Sequence, residues 1–271
     1  MKTDTEGIVL REVKTAYNRR MLLLFTKEYG KISAGTSLGE RGRSKTSLAL
    51  QRFTSGRYSL HTGRNGYNID SAEVIRSHYG IGEDIDKYIC GSYVLEFTDK
   101  VLEDGVPMPA VYNLIMEFFE ILEKRERGFG TLVLAYQMKL FGYLGVSPEL
   151  KRCTRCGKQI YRPSTPVEKE EGDNQAGNDG FWLSIADGGL VCTECMDEKA
   201  RSEMEETAPD SLIYSSNFDI LEALIYFKSN HLKRLEKIAL NEKNGRLIQK
   251  FIRGYAAYHL DASNIKSEKM L

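Results

Sequence analysis

Four cysteines in two C-x2-C pairs constrain this chain more than any other feature of its sequence. They are Cys153 with Cys156 and Cys192 with Cys195. Two such pairs can supply four thiolates to one tetrahedral zinc ion. The 35 residues between the pairs exceed the usual spacing, but residues 163–179 have the Pro, Gly, Asn and acidic composition of a loop. Without that loop eighteen residues remain, so the spacing predicts a single four-cysteine zinc site.

The ligand set predicts a structural ion. Four cysteines close the coordination shell, whereas catalytic zinc keeps a position for water. Lys151, Arg152, Arg155 and Lys158 flank the first pair and can offset the thiolate charge. Two disulfides are the competing interpretation; they need an oxidising compartment, and the first residues lack the apolar segment of a secretion signal. Cys90, in a helical pattern, is expected to be a buried small apolar residue.

Charge is segregated along a chain whose net charge is zero. Residues 1–66 hold thirteen Lys and Arg against five acids, and residues 168–210 hold thirteen acids against three bases. A basic N-terminal segment is typical of a polyanion-binding surface, although an ordinary solvated face also fits. None of the apolar runs approaches membrane-spanning length, so we expect a cytoplasmic protein of 271 residues with one to three domains.

The first seventy residues have strand patterns. The pattern predicts five short strands. Residues 5–13 alternate apolar and polar side chains, residues 20–26 form a short apolar run, and residues 31–36 are extended. The last two strands, 52–61 and 67–71, flank a turn at Asn65-Gly66. Five strands in a basic, glycine-punctuated segment fit a small β-barrel. The OB-fold is the member of that class used most often on single-stranded nucleic acid.

Helical spacing replaces strand alternation from about residue 73. Residues 84–102, 110–124 and 130–143 are predicted helices, with apolar stripes such as Ile85, Ile89, Tyr93 and Phe97. Residues 218–227 and 246–259 repeat the pattern after the cysteines. The sequence therefore predicts an α+β multidomain protein: an OB barrel in 1–78, helices in 79–150, a zinc-binding insertion in 151–197 and further helices in 198–271.

No motif predicts catalysis. Residues 39–46 resemble a phosphate-binding loop, but Ser44 stands where that motif needs glycine. The four histidines are scattered, and there is no nucleophile elbow. Residues 39–46 fit better as a basic loop against a nucleic-acid backbone. The candidate DNA-binding residues are Arg19, Arg20, Lys31, Arg41, Arg43, Lys45, Arg52 and Arg57. The interleaved aromatics that could stack on bases are Phe25, Tyr29, Phe53, Tyr58 and Tyr67. Some of them must fill the barrel; Phe25 is assigned to the core, and for Tyr58 and Tyr67 alternation leaves both positions open.

The order of several loose motifs resembles the RecO family of bacterial DNA-repair recombination mediators. The N-terminal motifs are Gly7-Ile-Val-Leu10, the 26–31 turn, the basic loop 39–46 and the 48–53 segment. Later motifs are the 141–157 stretch through the first cysteine pair, the 188–195 stretch through the second, and the final helix and tail. The likeness covers nearly the whole chain.

The resemblance implies an N-terminal OB-fold, a helical domain and an inserted zinc-binding segment. It also implies a non-enzymatic, nucleoid-associated cytoplasmic protein that binds single- and double-stranded DNA and anneals strands coated by single-strand-binding protein. Implied partners are RecR, the C-terminal tail of single-strand-binding protein and, indirectly, RecA. The region of Arg125, Arg127, Phe129 and Lys139 could offer that tail an apolar pocket with a basic rim, although these arginines also fit a helix cap.

Two other hypotheses remain open. The chain could be a zinc-ribbon and OB adaptor that binds RNA or a transcription complex mainly through protein contacts. It could also be a nucleotide-dependent enzyme that uses residues 39–46.

Overall fold

The computed structural model describes residues 2–14, 20–38, 45–63, 66–160, 181–196, 212–215 and 218–267. The chain divides into two compact units, one of residues 1–133 and 264–271 and the other of residues 134–263. Among the described residues, no helix has both the length and the apolarity needed to cross a membrane.

The first unit begins with a closed barrel of five strands in the order β1-β2-β3-β5-β4. The strands are β1 (Lys2–Lys14), β2 (Arg20–Thr26), β3 (Gly30–Thr36), β4 (Thr54–Gly63) and β5 (Gly66–Ser77). Neighbours run antiparallel except β3 and β5, which pair in parallel. This is the five-stranded barrel of an OB-fold, so the predicted fold class is confirmed.

Strand alternation fills the barrel. Side chains of every second residue, among them Leu22, Leu24, Tyr58 and Leu60, are buried inside. The hydroxyl of Tyr58 donates to the carbonyl of Ala49 at 2.7 Å, which satisfies the polar end of a ring with no exposed surface. Tyr58 is therefore a core residue and is not available to stack on bases.

The strand boundaries differ from the prediction at two places. A short helix, α1 (Lys45–Ala49), precedes β4, and β4 begins at Thr54, so Arg52 lies in a turn. Strand β5 runs to Ser77 because Ala72 and Val74 pair with Tyr58 and Gly56 of β4. Local spacing cannot reveal that long-range pairing. Gly63 pairs with Gly66, while the predicted Asn65 turn position lies outside the described residues.

Three helices follow a turn of 3₁₀ helix (Tyr79–Glu83): α2 (Ile85–Val101), α3 (Pro109–Lys124) and α4 (Phe129–Tyr143), the last reaching into the second unit. Asp84 caps α2 by accepting from the backbone N–H groups of Asp86 and Lys87. The buried face of α2 includes Tyr93 and Phe97 as predicted. Ile85 departs from the prediction: it lies in the first turn and is 71 % exposed.

The described residues of the second unit include a small sheet and, beyond α4, two further helices. Strands β6 (Phe181–Ser184), β7 (Gly189–Cys192) and β8 (Leu212–Ser215) form an antiparallel sheet in the order β7-β6-β8. Helices α5 (Phe218–Ser229) and α6 (Glu242–Leu260) follow. The Tyr255 ring of α6 packs on Phe141 of α4 at 5.3 Å, and a ring nitrogen of His259 lies 2.7 Å from the carbonyl oxygen of Ile185.

Candidate functional site

The four cysteines of the two pairs come together in the second unit. Their sulfur atoms all lie within 4.8 Å of one another, and Cys156 Sγ is 3.7 Å from Cys192 Sγ. Four thiolates at about 2.3 Å from one tetrahedral ion would have their sulfur atoms about 3.8 Å apart. The donor set therefore fits a four-coordinate, thiolate-bound metal such as zinc.

Each pair lies in a tight turn that the local sequence favours. At the first turn, the backbone N–H of Gly157 donates to the Cys153 carbonyl at 2.9 Å, and Gly157 has a φ of 75°. At the second, β7 ends at Cys192 and continues into a 3₁₀ turn (Thr193–Cys195). The backbone N–H of Cys192 lies 3.4 Å from Cys153 Sγ, so one turn supplies a hydrogen bond to a sulfur of the other.

A close backbone crossing holds the two turns in register. Leu190 N–H donates to the Glu149 carbonyl at 2.9 Å, and Glu149 N–H donates to the Gly188 carbonyl at 3.0 Å. Gly189 lies between them with a φ of 155°, and a Cβ atom there would overlap the Glu149 backbone. Only glycine permits this approach, which aligns the segment before Cys153 with the strand that ends at Cys192.

Ion pairs fasten the outside of the site. The Arg155 guanidinium binds the Asp187 carboxylate through two hydrogen bonds of 3.1 and 3.0 Å and also donates to the Cys195 carbonyl at 3.0 Å. Lys158 binds Glu194 at 2.6 Å. These two cations were expected to offset thiolate charge. They are engaged with carboxylates, and they join the two turns to each other.

The ionisation of the cysteines is consistent with a site that needs a cation. Burial opposes ionisation of Cys153, yet backbone N–H groups of Cys192, Cys156 and Arg155 donate to its sulfur and bring its pKa to about 6. Hydrogen bonding with the Cys156 and Cys192 sulfurs raises the pKa of Cys195 to about 12. Four adjacent thiolates repel one another, so all four ionise together only when a metal neutralises them.

Cys90 stands apart from this site. Its side chain is 4 % exposed in α2, and burial raises the pKa of its thiol to about 12. The expectation of a buried small apolar residue agrees with this environment.

Two of the eight candidate DNA-binding residues have their charge engaged. Lys31 is 11 % exposed and binds Asp99 at 3.3 Å and Asp104 at 3.1 Å. Arg20 is 16 % exposed and lies 3.1 Å from the Glu12 carboxylate. A phosphate would have to displace these carboxylates, so both residues have a structural part in the barrel.

The other candidates are exposed or lie outside the described residues. Arg57 is 59 % exposed on β4, 3.7 Å from Glu6, a carboxylate that also binds Lys27. Arg52 is exposed in the turn before β4 and, among the described residues, has no ion-pair partner. Arg19, Arg41 and Arg43, and the side chain of Lys45, lie outside the described residues.

The five aromatics considered for base stacking are buried or half-buried. Phe25, assigned to the core, is buried, as are Tyr58 and Phe53, and the half-buried Tyr29 and Tyr67 pack together at 6.1 Å against the barrel core. Among the described residues of the first unit, the exposed rings are Tyr79 and Tyr88, just beyond the barrel. A helical signal could have identified Tyr88: it lies five residues before buried Tyr93, about 140° around the helix from it.

A second cationic surface follows α6 in the second unit. Lys243, Arg246, Lys250 and Arg253 recur at helical spacing on one exposed face. From the sequence alone none of these residues is assigned to a site, although their spacing of three and four residues is visible there.

In the region expected to bind the tail of single-strand-binding protein, the side chains of Arg125 and Lys139 donate to backbone carbonyls. Arg125 is 5 % exposed and donates from Nε to the Arg127 carbonyl at 2.6 Å. Its backbone N–H caps the end of α3 by donating to the carbonyls of Ile121 and Leu122. In the second unit, Lys139 donates to the Lys228 carbonyl at 2.7 Å.

Comparison with known proteins covers nearly the whole chain. The family described as "Recombination protein O N terminal" matches residues 1–78, and "Recombination protein O C terminal" matches residues 82–269. A "DNA repair protein RecO" of Alkaliphilus metalliredigens is 26 % identical over 267 residues, with 98 % of this chain and 97 % of the relative covered. Proteins of the same description from Thermoanaerobacter sp. and Exiguobacterium sibiricum are 26 % and 27 % identical, with 95 % and 94 % of this chain and 92 % and 90 % of each relative covered.

Proposed function

The chain belongs to the RecO family of recombination proteins, and on that premise we propose that it binds DNA, anneals complementary strands and, with RecR, helps to load RecA onto DNA coated by single-strand-binding protein. The family consists of non-enzymatic mediators of DNA repair and recombination. The observation that carries the proposal is the closed OB-type barrel at the start of a chain that matches the family from end to end.

The physical requirements of this activity are modest. An annealing protein breaks no covalent bond; it must hold two polyanions close together while their bases pair. Cationic surface lowers the repulsion between the strands and releases their condensed counterions. Cationic residues on both units support such a role. They are the exposed Arg52 and Arg57, the basic segment 39–45 and the cationic surface along α6.

The proposed metal is one structural zinc ion held by Cys153, Cys156, Cys192 and Cys195. A zinc ion bound there would cross-link the two turns, and it would have a structural role because four cysteines leave no coordination position for a substrate or water. The protein's own contribution is the Glu149–Gly189 crossing and the Arg155–Asp187 pair, which hold the turns at the right separation.

Other finer assignments belong to the same proposal. We place single- and double-stranded DNA, RecR and the single-strand-binding protein tail among its direct partners, RecA as an indirect one, and the protein in the nucleoid-associated cytoplasm. The domain limits at residues 78, 150 and 197 are likewise proposed.

The experiment that tests this function is annealing of complementary oligonucleotides without nucleotide, with bare strands and with strands coated by single-strand-binding protein, across a salt titration. We expect acceleration that persists on coated strands and declines as salt rises, because the phosphate contacts are electrostatic. Absence of acceleration by folded, zinc-loaded protein would contradict the proposal and favour the adaptor hypothesis, which predicts binding to RNA or to protein in its place.

A further inference from the structure

Two adjoining cavities open on the first unit and share two residues, Arg52 and Tyr88. The larger, of 860 Å³, lies between β1, helix α2 and residues 264–267 of the tail. The smaller, of 270 Å³, lies between the turn that carries Arg52, the end of β5 and the start of α2. We refer to the two together as the Arg52–Tyr88 groove.

The groove has a surplus of positive charge. Of its three carboxylates, Asp99 binds Arg11 at 2.7 Å and Lys31 at 3.3 Å, and Glu12 lies 3.1 Å from Arg20. These groups largely neutralise one another.

The third carboxylate is also engaged, whereas three cations have no ion-pair partner among the described residues. Glu96 accepts backbone hydrogen bonds from Lys266 at 2.8 Å and Ser267 at 3.0 Å. Arg52, Lys100 and Lys266 are exposed, and none of their side chains has an ion-pair partner within the part of the chain that the structure describes. An anionic ligand would meet three available cations and no unengaged carboxylate.

Exposed aromatic rings border the smaller cavity. Tyr79 is 68 % exposed and Tyr88 is 41 % exposed. The Tyr88 ring is supported by an edge contact with Phe53 at 5.6 Å and 84°. Phe53 has a φ of 61°, a backbone conformation that a bulky residue rarely adopts. Its ring packs so close to Gly91 that a Cβ atom on residue 91 would lie 2.8 Å from it. The fold thus accepts backbone strain in order to place Phe53 beneath Tyr88.

Each cavity also contains a buried polar group without a partner among the described residues. His78 has no exposed surface and lines the smaller cavity; its Nδ1 binds Glu123 at 3.0 Å, and its Nε2 has no hydrogen bond. Burial lowers the pKa of His78, so the ring is neutral at pH 7, and with Nδ1–H donated to Glu123 its Nε2 is an acceptor. Ser92 Oγ is the corresponding group in the larger cavity.

We propose that the Arg52–Tyr88 groove holds single-stranded DNA, with phosphates at Arg52 and Lys100 and unpaired bases on the rings of Tyr88 and Tyr79. The inference deepens the DNA-binding activity proposed above and rests on it. Cations alternating with exposed aromatic rings are the chemistry that single strands require, because each nucleotide offers one charge and one π face. A duplex has its bases stacked inside and could use only the cations.

The His78 Nε2 and Ser92 Oγ atoms are buried from solvent, so the proposed strand does not contact them and the site consists of the exposed cations and rings. An acidic peptide could use the cations and pack apolar side chains on the rings, so a peptide is the alternative that the experiment must separate.

The test measures affinity for a fluorescently labelled oligothymidine and for an abasic strand of equal length. Tyr88→Ala should weaken oligothymidine binding about tenfold, since base stacking on one ring has roughly that effect. The same variant should bind the abasic strand as the wild type does. Tyr88→Phe, which retains the ring, should restore wild-type affinity, and Tyr143→Ala, at an exposed tyrosine of α4, is the matched control.

The cations are tested separately by salt dependence. Arg52→Gln and Lys100→Gln should each reduce the slope of log affinity against log salt by about 0.7, the value for one phosphate contact on a single strand. Lys124→Gln, at an exposed lysine paired with Glu120, should leave the slope unchanged. A photoreactive 5-iodouracil strand should cross-link to the peptide that contains Tyr88.

The outcomes separate this inference from the function on which it rests. If the wild type binds no single strand, DNA binding itself is overturned. If the wild type binds but Tyr88→Ala, Arg52→Gln and Lys100→Gln retain its affinity and salt slope, the groove is overturned and DNA binding stands. If Tyr88→Ala weakens oligothymidine and abasic binding equally, stacking is overturned. Competition by an acidic peptide with no effect of these variants on DNA would assign the groove to a peptide.

Discussion

At the scale of single residues, two glycines allow approaches that no other residue permits. Gly189 lets the strand that carries Cys192 cross the Glu149 backbone, and Gly91 lets helix α2 pass over the Phe53 ring. Phe53 in turn occupies the left-handed region at a φ of 61°. The sequence shows no local sign of either approach, because the Phe53 ring and the Glu149 backbone lie about forty residues from the glycines that accommodate them.

The Gly91 contact predicts a specific loss of stability. In Gly91→Ala the new Cβ would lie 2.8 Å from the Phe53 ring, which must shift. Overpacking, partly offset by the better helix propensity of alanine, should lower the free energy of unfolding by about 1–2 kcal/mol. Urea denaturation measures it. Gly130→Ala is the control, because Gly130 is exposed in the first turn of α4 with nothing within 4 Å of its Cβ position. Equal effects of the two substitutions would contradict the argument.

The metal site predicts a residue-specific loss of zinc. Cys192→Ser removes a ligand from a four-cysteine set and should release the ion, with loss of hydrogen-exchange protection in residues 151–160 and 181–196. Protection of the barrel should remain. Metal analysis of the purified protein measures the zinc, and Cys90→Ala should keep full content because Cys90 lies in α2. Full zinc content in Cys192→Ser would refute the ligand assignment.

At the scale of elements, the tail of the chain is tied to α2 by one carboxylate. Glu96 accepts from the backbone N–H groups of Lys266 and Ser267 and from the Ser267 hydroxyl at 2.7 Å. Burial opposes ionisation of Glu96, but these donors hold its pKa below its ordinary value. The tail thus borders the Arg52–Tyr88 groove because an ionised carboxylate holds it there.

This contact predicts a pH dependence of tail docking. Because the pKa of Glu96 is lowered in the folded state, its contribution is complete above the unfolded pKa of about 4.3 and is lost as pH falls through the lower folded value. Hydrogen exchange of residues 264–267, corrected for intrinsic rates, should therefore show protection at pH 7 that disappears in acid. Glu96→Gln should lack that protection at pH 7. Glu103→Gln, at an exposed carboxylate, should behave as the wild type, and unchanged protection in Glu96→Gln would argue against the tie.

The basic loop carries a second prediction at this scale. Reversal of Arg41, Arg43 and Lys45 to Glu should weaken DNA binding and make its salt dependence shallower by about 2, since three phosphate contacts on a single strand would be lost. Filter binding across a salt series measures the slope. The charge-matched variant reverses Lys243, Arg246 and Lys250 on α6. A slope altered only by the α6 variant would place the main DNA surface on the second unit.

At the scale of the whole molecule, a zero net charge conceals two opposed regions. The N-terminal 66 residues carry a surplus of eight positive charges, and residues 168–210 carry a surplus of ten negative charges. Among the described residues, the turns that hold the four cysteines and the crossing that aligns them use residues 149–160 and 181–196, so we expect the site to form without the acidic loop 163–179.

Deletion of residues 163–179 should therefore leave zinc content unchanged and strengthen nonspecific DNA binding. The loop holds five acids and one lysine, so its removal changes the net charge of the chain from zero to +4. Affinity should rise at low salt and converge with the wild type near 1 M, where the Debye length is about 3 Å. Fluorescence anisotropy over a salt series measures this effect. Loss of zinc on deletion would show that the loop supports the site.

Sequence reasoning recovered the architecture because its signals are local. Strand alternation, the helical spacing of apolar residues and the spacing within each cysteine pair each depend on a few neighbouring residues. It mistook the ends of β4 and β5, since strand ends are decided by pairing partners. It left open whether Tyr58 and Tyr67 stack on bases or fill the barrel, since alternation shows that a ring lies on one face of a strand without showing which face the barrel encloses.

The sequence alone thus determined the N-terminal barrel followed by helices, the four cysteines that come together and the family, because composition, periodicity and motif order are properties of the chain itself. Only the tertiary structure decided which charges and rings remain available. Lys31 and Arg20 meet carboxylates, and Tyr58 fills the barrel, whereas Arg52 and Tyr88 come together at one groove. The physical reason is that burial and ion pairing depend on contacts between residues far apart in sequence, which exist only once the chain has folded.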